Sequence, residues 1–413
     1  MKIVLFLIDA CRYDYISKEV TPFLWDCSNT GMYYKHVVPS AGFCERTEIF
    51  TGKKPNESGF FTAIGFDPQK STYKNKKGIK IFGFIEDILL GKWNKNDNLK
   101  IAYYYRKIIN KFFKNYLQEE KLKTYNIPFS FLKYFNLTED EFEFNDLSKQ
   151  ESNSILKIVE KKFEKTFFNS FTSLGGSSSS SDLDRLNQVV CAFKKDSYLF
   201  TPIYLGKIDA LGHVYGPNSS VLNSELRKLD QNLKKCVSQL KEIDKSTNFI
   251  FLGDHGMTKV KKHIDIQLTI NGLANKIKLK KGKDYIYFLD STLLRIWFLS
   301  DSARKQFLPL LEGNYVLKGA GKTLTKEISK KYSIPYNDKR YGDFTWWANE
   351  GVLIFPDFFH NKEPYKGMHG YSPEMTSTHG TCIVVGDNIQ TSFKDKINLY
   401  EIYDIINKII KTK

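Results

Sequence analysis

The sequence predicts an α/β fold: a mostly parallel central sheet with helices on both faces, plus an inserted cap region. Three observations carry this expectation. First, three apolar segments run without alternation and end in an acidic residue and a turn. They are residues 3–8 followed by Asp9, residues 198–208 followed by Asp209, and residues 249–252 followed by Gly253-Asp254-His255-Gly256. Continuous apolarity marks strands buried on both faces, as in a parallel sheet covered by helices. Second, residues 224–243 place Leu226, Leu229, Leu233, Val237 and Leu240 at three- and four-residue steps, with Lys and Asp opposite. That amphipathic helix leads into the third apolar run, so strand, helix and strand follow in order. Third, the polar residues fall after the strands, at the carboxyl ends where α/β sheets build their sites.

Along the chain, the first six apolar residues follow Met1-Lys2 and stop at Asp9, with Arg12 and Asp14 close behind. This run is too short for a secretory segment; it reads as a buried strand, and the expected location is cytoplasmic. Residues 66–185 are rich in Lys, Phe, Tyr and Asn and hold none of the Asp and His groups that carry the chemistry, which predicts a mostly helical cap. Leu174-Gly175-Gly176-Ser177 onward to Ser181 reads as a flexible linker. The expected core is then 1–65 and 186–413, with a second insertion at 265–340, before Tyr341-Gly342-Asp343-Phe344. Cys382-Ile383-Val384-Val385-Gly386 reads as a strand. Residues 398–410 carry Leu399, Ile402, Ile405, Ile406 and Ile409 and predict a closing helix that faces the core.

Composition narrows the function classes. Of 413 residues, 41% are apolar and 26% charged, and 32 Phe and 24 Tyr exclude a disordered chain. No stretch reaches the roughly 18 uncharged apolar residues of a transmembrane helix. Lys and Arg number 62 against 46 Asp and Glu, a net charge of +16, which suits an anionic partner. The excess is mainly Lys with no compact Arg block, so no specific nucleic-acid motif is present. Six widely spread cysteines without a CxxC pair argue against a disulfide framework and a structural zinc module.

The chemistry lies in four local groups: Asp9; Asp209-Ala210-Leu211-Gly212-His213; Asp254-His255-Gly256-Met257; and Gly367-Met368-His369-Gly370-Tyr371. Three of the seven histidines fall in these groups, and all are expected on loops. Imidazole and carboxylate together suit zinc, and also manganese or iron.

The ordered set resembles the alkaline phosphatase superfamily, most of all its type I phosphodiesterase/nucleotide pyrophosphatase branch. "KIDALGHVYGPNS", "LGDHGM" and "MHGY" resemble that branch's metal-binding motifs, and "TGKKPNESG", "YGDFTWWANEG" and "INLYEIYDII" are also similar to it. The resemblance implies two divalent ions, zinc first and manganese as the alternative. Asp209, His213 and His369 would hold one, and Asp9, Asp254, His255 and the nucleophile the other. It implies a metal-dependent phosphodiesterase or phosphohydrolase working by in-line attack. The substrate would be an anionic phosphate ester: nucleotide, nucleotide-sugar or glycan-linked.

The nucleophile segment departs from the family. Counting nine residues back from Thr51 of the Thr-Gly pair reaches Gly42, and the family Asn three residues later falls on Glu45. Cys44 is therefore the first candidate nucleophile, at the start of an expected helix through Ile49 and Phe50, where a helix terminus and a metal depress a thiol pKa. Thr47 is the alternative and Ser40 the third. Arg46 is the candidate phosphate donor. His379, His36, His263, His360, Trp346-Trp347 and the Lys-rich stretch 278–283 read as structural or solvated. Three other readings stand beside this one. A sulfatase lacks support, because Cys44-Glu45-Arg46 has neither the spacing nor the proline of Cys-x-Pro-x-Arg. A phosphomutase of the same superfamily is the second. A non-catalytic metal and anion binder that has lost its nucleophile is the third, and Gly42 argues for it.

Overall fold

The computed structural model describes residues 2–91, 98–117, 125–138, 152–162, 164–167, 181–360 and 362–411. The predicted linker at 174–180 lies outside the described residues. Two compact units are present: Met1–Phe60 with Glu141–Lys259 and Tyr365–Lys413, and Phe61–Asp140 with Val260–Pro364.

The first unit is built on six strands: β1 (Ile3–Ile8), β2 (Met32–Val38), β3 (Phe200–Leu205), β4 (Asn248–Leu252), β5 (Gly380–Val385) and β6 (Ser392–Asn398). Their order is β6-β2-β5-β4-β1-β3. The pairs β1/β3, β1/β4 and β2/β6 are parallel, and β5 is antiparallel to both β2 and β4. Five strands therefore share one direction and β5 alone is reversed. The sheet is mixed by pairing and mostly parallel by direction. The three apolar runs of the sequence are β1, β3 and β4, at one side of the sheet.

Seven helices of this unit matter for the argument: α1 (Pro22–Thr30), α2 (Glu45–Thr51), α3 (Ile155–Lys161), α4 (Asp182–Lys195), α5 (Lys207–Tyr215), α6 (Ser220–Ile243) and α7 (Ile402–Lys411). Successive strand residues point to opposite faces, so β1 feeds two cores at once. Val4, Phe6 and Ile8 pack with Leu24 of α1, Leu186 and Val189 of α4, and Leu226, Leu229, Leu233 and Leu240 of α6. Ile3, Leu5 and Leu7 pack with Ile49 and Phe50 of α2, Leu156 and Val159 of α3, and Ile402, Ile406 and Ile409 of α7. The periodic leucines of α6 and isoleucines of α7 are thus the two outer layers that the sequence pattern predicted. Asp230, buried on α6, accepts from the N–H groups of Phe23 and Leu24 at 2.9 Å each, meeting donors that the first turn of α1 leaves unpaired.

The sequence boundaries for the insertions differ from these units. Residues 61–140 group with 260–364, whereas α3 and the first turn of α4, inside the segment read as a cap, belong to the first unit, whose sheet these helices close with their apolar faces. The second unit contains an antiparallel sheet ordered Gly321–Thr323, Phe344–Ala348, Leu293–Phe298, Tyr285–Leu289. Trp346 and Trp347 are strand core there, and the Trp346 indole N–H donates to Leu317 O at 2.9 Å. Buried Arg295 is paired with Asp290 at 2.8 Å and donates to Thr62 Oγ1 at 2.7 Å. Helices Lys77–Gly91 and Asn98–Phe112 also lie in this unit. No described helix is long and apolar enough to cross a membrane.

Phe6 is fully buried and stacks on Phe251 and Phe249 with centroid separations of 5.2 and 6.3 Å. Phe6→Ala is expected to lower unfolding free energy by about 3–5 kcal/mol. Substitution of exposed Lys245 is expected to change it by about 0.5 kcal/mol or less. Urea denaturation of the two variants checks this.

Candidate metal centre

The carboxyl ends of β1, β3 and β4 lie at one edge of the sheet, and the reversed β5 begins at that same edge. Asp9 follows β1 directly. Ala10 then takes a left-handed φ of 58°, which aims its N–H at Asp254 Oδ1, 3.3 Å away. The His255 N–H meets the same oxygen at 3.0 Å. Gly253 has to be glycine, since a Cβ there would stand 2.1 Å from Cys11 O. The turns after β1 and β4 therefore touch backbone to backbone, and Asp9, Asp254 and His255 are brought together by that approach.

Asp209 and His213 correct an expectation. They are not on a loop but on α5, one helical turn apart and on one face. His213 Nδ1 lies 3.0 Å from Gly367 O, and its Nε2 is 3.2 Å from Asp209 Oδ1. His255 repeats the design: Nδ1 is 2.8 Å from Gly256 O and Nε2 is 3.0 Å from Asp9 Oδ1. Only a donor can meet a carbonyl, so each Nδ1 carries a proton and each Nε2 faces the carboxylates. His369 follows the short strand Gly367–Met368, which pairs with Thr258–Lys259 just after the Asp254 turn. Its ring stacks on His255 at 3.9 Å between centroids and 14° between planes, with Nε2 3.7 Å from Asp209 Oδ1.

Three groups of ligand atoms lie within 4.8 Å of one another: Asp209, His213 and His369; Asp9, Asp209 and His255; and Glu45, His255 and His369. Asp254 reaches His255 Nε2 at 3.9 Å. All six metal ligands expected from the sequence are thus in one neighbourhood, and Glu45 is an addition.

Electrostatics follow from crowding. Burial, with repulsion from Asp9 and Glu45, pushes the Asp254 carboxyl up to about 8 against the pull of His255 and Arg46. Burial also pushes Asp9 up, but the hydrogen bond and charge of His255, with the Tyr204 hydroxyl, hold it below the usual carboxylate range. Burial would neutralise His255, yet Asp254 and Asp9 keep its pKa well above the usual imidazole value. His369 is the opposite case: burial, then the charges of His255 and His213, hold it well below that value. It remains neutral with a lone pair available.

Two buried atoms here have no hydrogen-bond partner among the described residues, Asp209 Oδ1 and His369 Nδ1. Orphaned buried acceptors are rare unless an ion or water meets them. Together with two imidazoles already aimed by main-chain carbonyls, they fit a divalent cation held by nitrogen and oxygen donors.

The nucleophile segment is arranged differently from expectation. Gly42 has φ 103° and offers no side chain. Cys44 is the N-cap of α2, as predicted, but its Sγ lies 3.4 Å from Glu48 Oε1. Burial, then Glu48 and Glu45, raise the thiol pKa well above its ordinary value, the reverse of the depression expected at a helix terminus. Among the described residues Cys44 joins none of the ligand groups. Thr47 is the third residue of α2 and is buried. The Ser40 N–H donates to Glu48 Oε1 at 3.3 Å. Arg46 does reach the site: its guanidinium lies 5.5 Å from the Tyr204 ring, and the Tyr204 hydroxyl donates to Asp9 Oδ2.

Sequence reasoning missed Glu45 and Tyr204. Glu45 had been noticed only as a mismatch, although an acidic residue at the head of a helix beside the nucleophile segment was a usable signal. Tyr204 sits inside an apolar strand and gave none. His379 is structural, with Nε2 2.8 Å from Pro373 O and Nδ1 3.4 Å from His36 Nδ1. His360 lies beside Asp357 in the second unit.

The sequence profile of the family described as type I phosphodiesterase / nucleotide pyrophosphatase matches residues 3–372. Bis(5'-adenosyl)-triphosphatase enpp4 of Xenopus laevis is 26% identical over 220 residues, covering 52% of this chain and 45% of that protein. Ectonucleotide pyrophosphatase/phosphodiesterase family member 1 of Mus musculus is 23% identical over 288 residues, 68% of this chain and 26% of that protein. A shorter match, 41% over 64 residues, joins 14% of this chain to 8% of GPI ethanolamine phosphate transferase 2 of Schizosaccharomyces pombe. The chain spans less than half the length of these curated relatives. Among solved structures, inactive murine ectonucleotide pyrophosphatase/phosphodiesterase 5 in complex with AMP shares the fold with a TM-score of 0.67 at 17% identity, covering 100% of this chain and 96% of that one. The human protein of the same name gives 0.68 at 16% identity with the same coverage. The profile runs from β1 past His369 and so takes in all six expected ligands; this chain belongs to the type I phosphodiesterase/nucleotide pyrophosphatase family, within the alkaline phosphatase superfamily.

Proposed function

We propose that this chain hydrolyses phosphodiester or pyrophosphate bonds of the nucleotide class at a centre of two divalent ions, zinc first and manganese as the alternative. The carrying observation is the convergence of Asp9, Asp209, His213, Asp254, His255 and His369 at one sheet edge, with His213 and His255 already oriented by Gly367 O and Gly256 O. Asp209, His213 and His369 would hold one ion, and Asp9, Asp254 and His255 the other. When bound, the ions supply Lewis-acid neutralisation of the nonbridging and leaving oxygens of the phosphate. Family membership and the AMP bound to the murine relative support the substrate class. A nucleotide-sugar or a glycan-linked phosphate has the same phosphate chemistry. All six cysteines are unpaired, which supports the proposed cytoplasmic location.

The chain's own residues supply the rest. Arg46, on the first turn of α2, is the bidentate donor for a phosphate oxygen pair. Tyr204 holds Asp9 by its hydroxyl and stacks against Arg46, so one side chain aligns a ligand and the anion donor. Cys44 is reassigned from attack to packing, because its thiol is turned into Glu48 and kept protonated. Thr47 is buried within α2 and Ser40 is tied by its N–H to Glu48, so attack on phosphorus is assigned to water. Its oxygen forms the new P–O bond, its proton passes to a site carboxylate, and the bond to the leaving oxygen breaks, with solvent protonating that oxygen.

Three outcomes are expected. An aryl phosphodiester should be turned over at least about tenfold faster than an aryl phosphomonoester or sulfate, about 1.4 kcal/mol in transition-state stabilisation. Equal or reversed rates would move the assignment to a monoesterase or sulfatase. Cys44→Ala should retain turnover within about tenfold, and a loss of several orders of magnitude with unchanged metal content would restore the thiol as nucleophile. Tyr204→Phe should weaken metal binding by about 10–100-fold through Asp9 while folding normally, read by competition with a chromogenic chelator.

A further inference from the structure

We propose that Glu45 is a metal-coordinating carboxylate that bridges the two ions of this centre. The inference rests on the two-ion reading above and goes beyond it in adding a ligand from α2. Glu45 lies within 4.8 Å, ligand atom to ligand atom, of both His255 and His369. In the proposed arrangement those histidines serve different ions. Their rings are stacked only 3.9 Å apart, so a carboxylate within reach of both would be able to serve the ion of each. A carboxylate has two oxygens and can serve one ion with each.

Local structure explains why this residue can do so. Gly42, with φ 103°, turns the chain after β2 without filling the space ahead of it. Cys44 caps α2 and points to Glu48, and Glu45 is then the first residue of the helix. Ile49 and Phe50, fully buried against β1, fix α2 and so fix where its first side chain falls. The Glu45 carboxylate accepts from its own backbone N–H and faces the charges of His255 and Arg46. Asp9 and Glu48, by contrast, are both engaged by neighbours.

Charge gives the proposal a purpose. Two dications against Asp9, Asp209 and Asp254 leave one positive charge. Glu45 cancels it, and Arg46, the next residue, returns it. The positive charge offered to a phosphate is thereby moved onto a planar donor of fixed direction. The pair Glu45-Arg46 is one device, with ligand and anion donor on adjacent residues of one helical turn.

The test is metal binding by the full chain. Wild type, Glu45→Gln, Glu45→Asp and, as a positive control, His369→Ala are stripped and titrated with Zn2+. The Co2+-loaded forms are compared by visible absorption, and circular dichroism verifies folding. The expected result is two ions in wild type, a second ion bound at least about tenfold more weakly by Glu45→Gln, and an altered Co2+ spectrum, with partial recovery in Glu45→Asp. Wild-type affinity for both ions and an unchanged Co2+ spectrum in Glu45→Gln overturn the role of Glu45 alone, provided that His369→Ala loses an ion. No tight ion in wild type overturns the two-ion reading and this inference together.

Discussion

Mutual repulsion among four carboxylates governs this site. Asp9, Glu45, Asp209 and Asp254 are drawn to the same edge of a buried sheet, where water screens them poorly. Whatever else is present has to offset that repulsion. Among the chain's own groups the offset comes from His255, whose pKa Asp254 and Asp9 keep well above the usual imidazole value, and from Arg46. The same field that keeps His255 charged makes the centre attractive to divalent cations. His369, placed beside that charge, stays neutral and is the ready nitrogen donor. One buried field thus separates the roles of two stacked imidazoles.

The reversed strand makes this gathering possible. In an all-parallel sheet, a strand inserted between β2 and β4 would end at the site edge and begin at the far one. Because β5 runs the other way, the loop before it, with His369 and His379, is delivered to the edge where Asp9, Asp209 and Asp254 already lie. The short ladder between Gly367–Met368 and Thr258–Lys259 then fixes the height of His369 above the Asp254 turn. Topology, rather than any local signal around His369, decides that it can meet residues from the other end of the chain.

Much of this was legible in the sequence where a local pattern had a single physical meaning. The unbroken apolar runs gave the strands buried on both faces, and the leucines of α6 and isoleucines of α7 gave the two covering layers. Asp9, Asp254-His255 and His369 stood out only as members of an ordered set of three Asp and three His, since a single Asp after a strand or a single His beside Gly is usually structural. Asp209 and His213 were found as residues but assigned to a loop, although their four-residue spacing is that of one helix face. Part of what escaped was non-local. Segments 61–140 and 260–364 carry no mark that they fold as one unit, since each completes a core the other begins. Glu45 looked like a defect while it was judged by family spacing alone. Cys44 was placed correctly at the head of α2, but its chemistry depended on Glu48, one turn along the same helix, a local signal that the family comparison hid.

The placement of β1 has a consequence for synthesis. Its neighbours on either side, β3 at 200–205 and β4 at 248–252, emerge long after it. At ordinary elongation rates the six apolar residues Ile3–Ile8 exist for some ten seconds or more with both ladder edges open. α1 and α2 are made early on either face of it, but α6 and α7, which complete the two covering layers, are made only after β3. A strand paired on both sides in the mature sheet is therefore without either partner in the nascent one, and β2, whose neighbours are β5 and β6, waits longer still. Final assembly of this sheet is a late, long-range event with a correspondingly high entropic barrier.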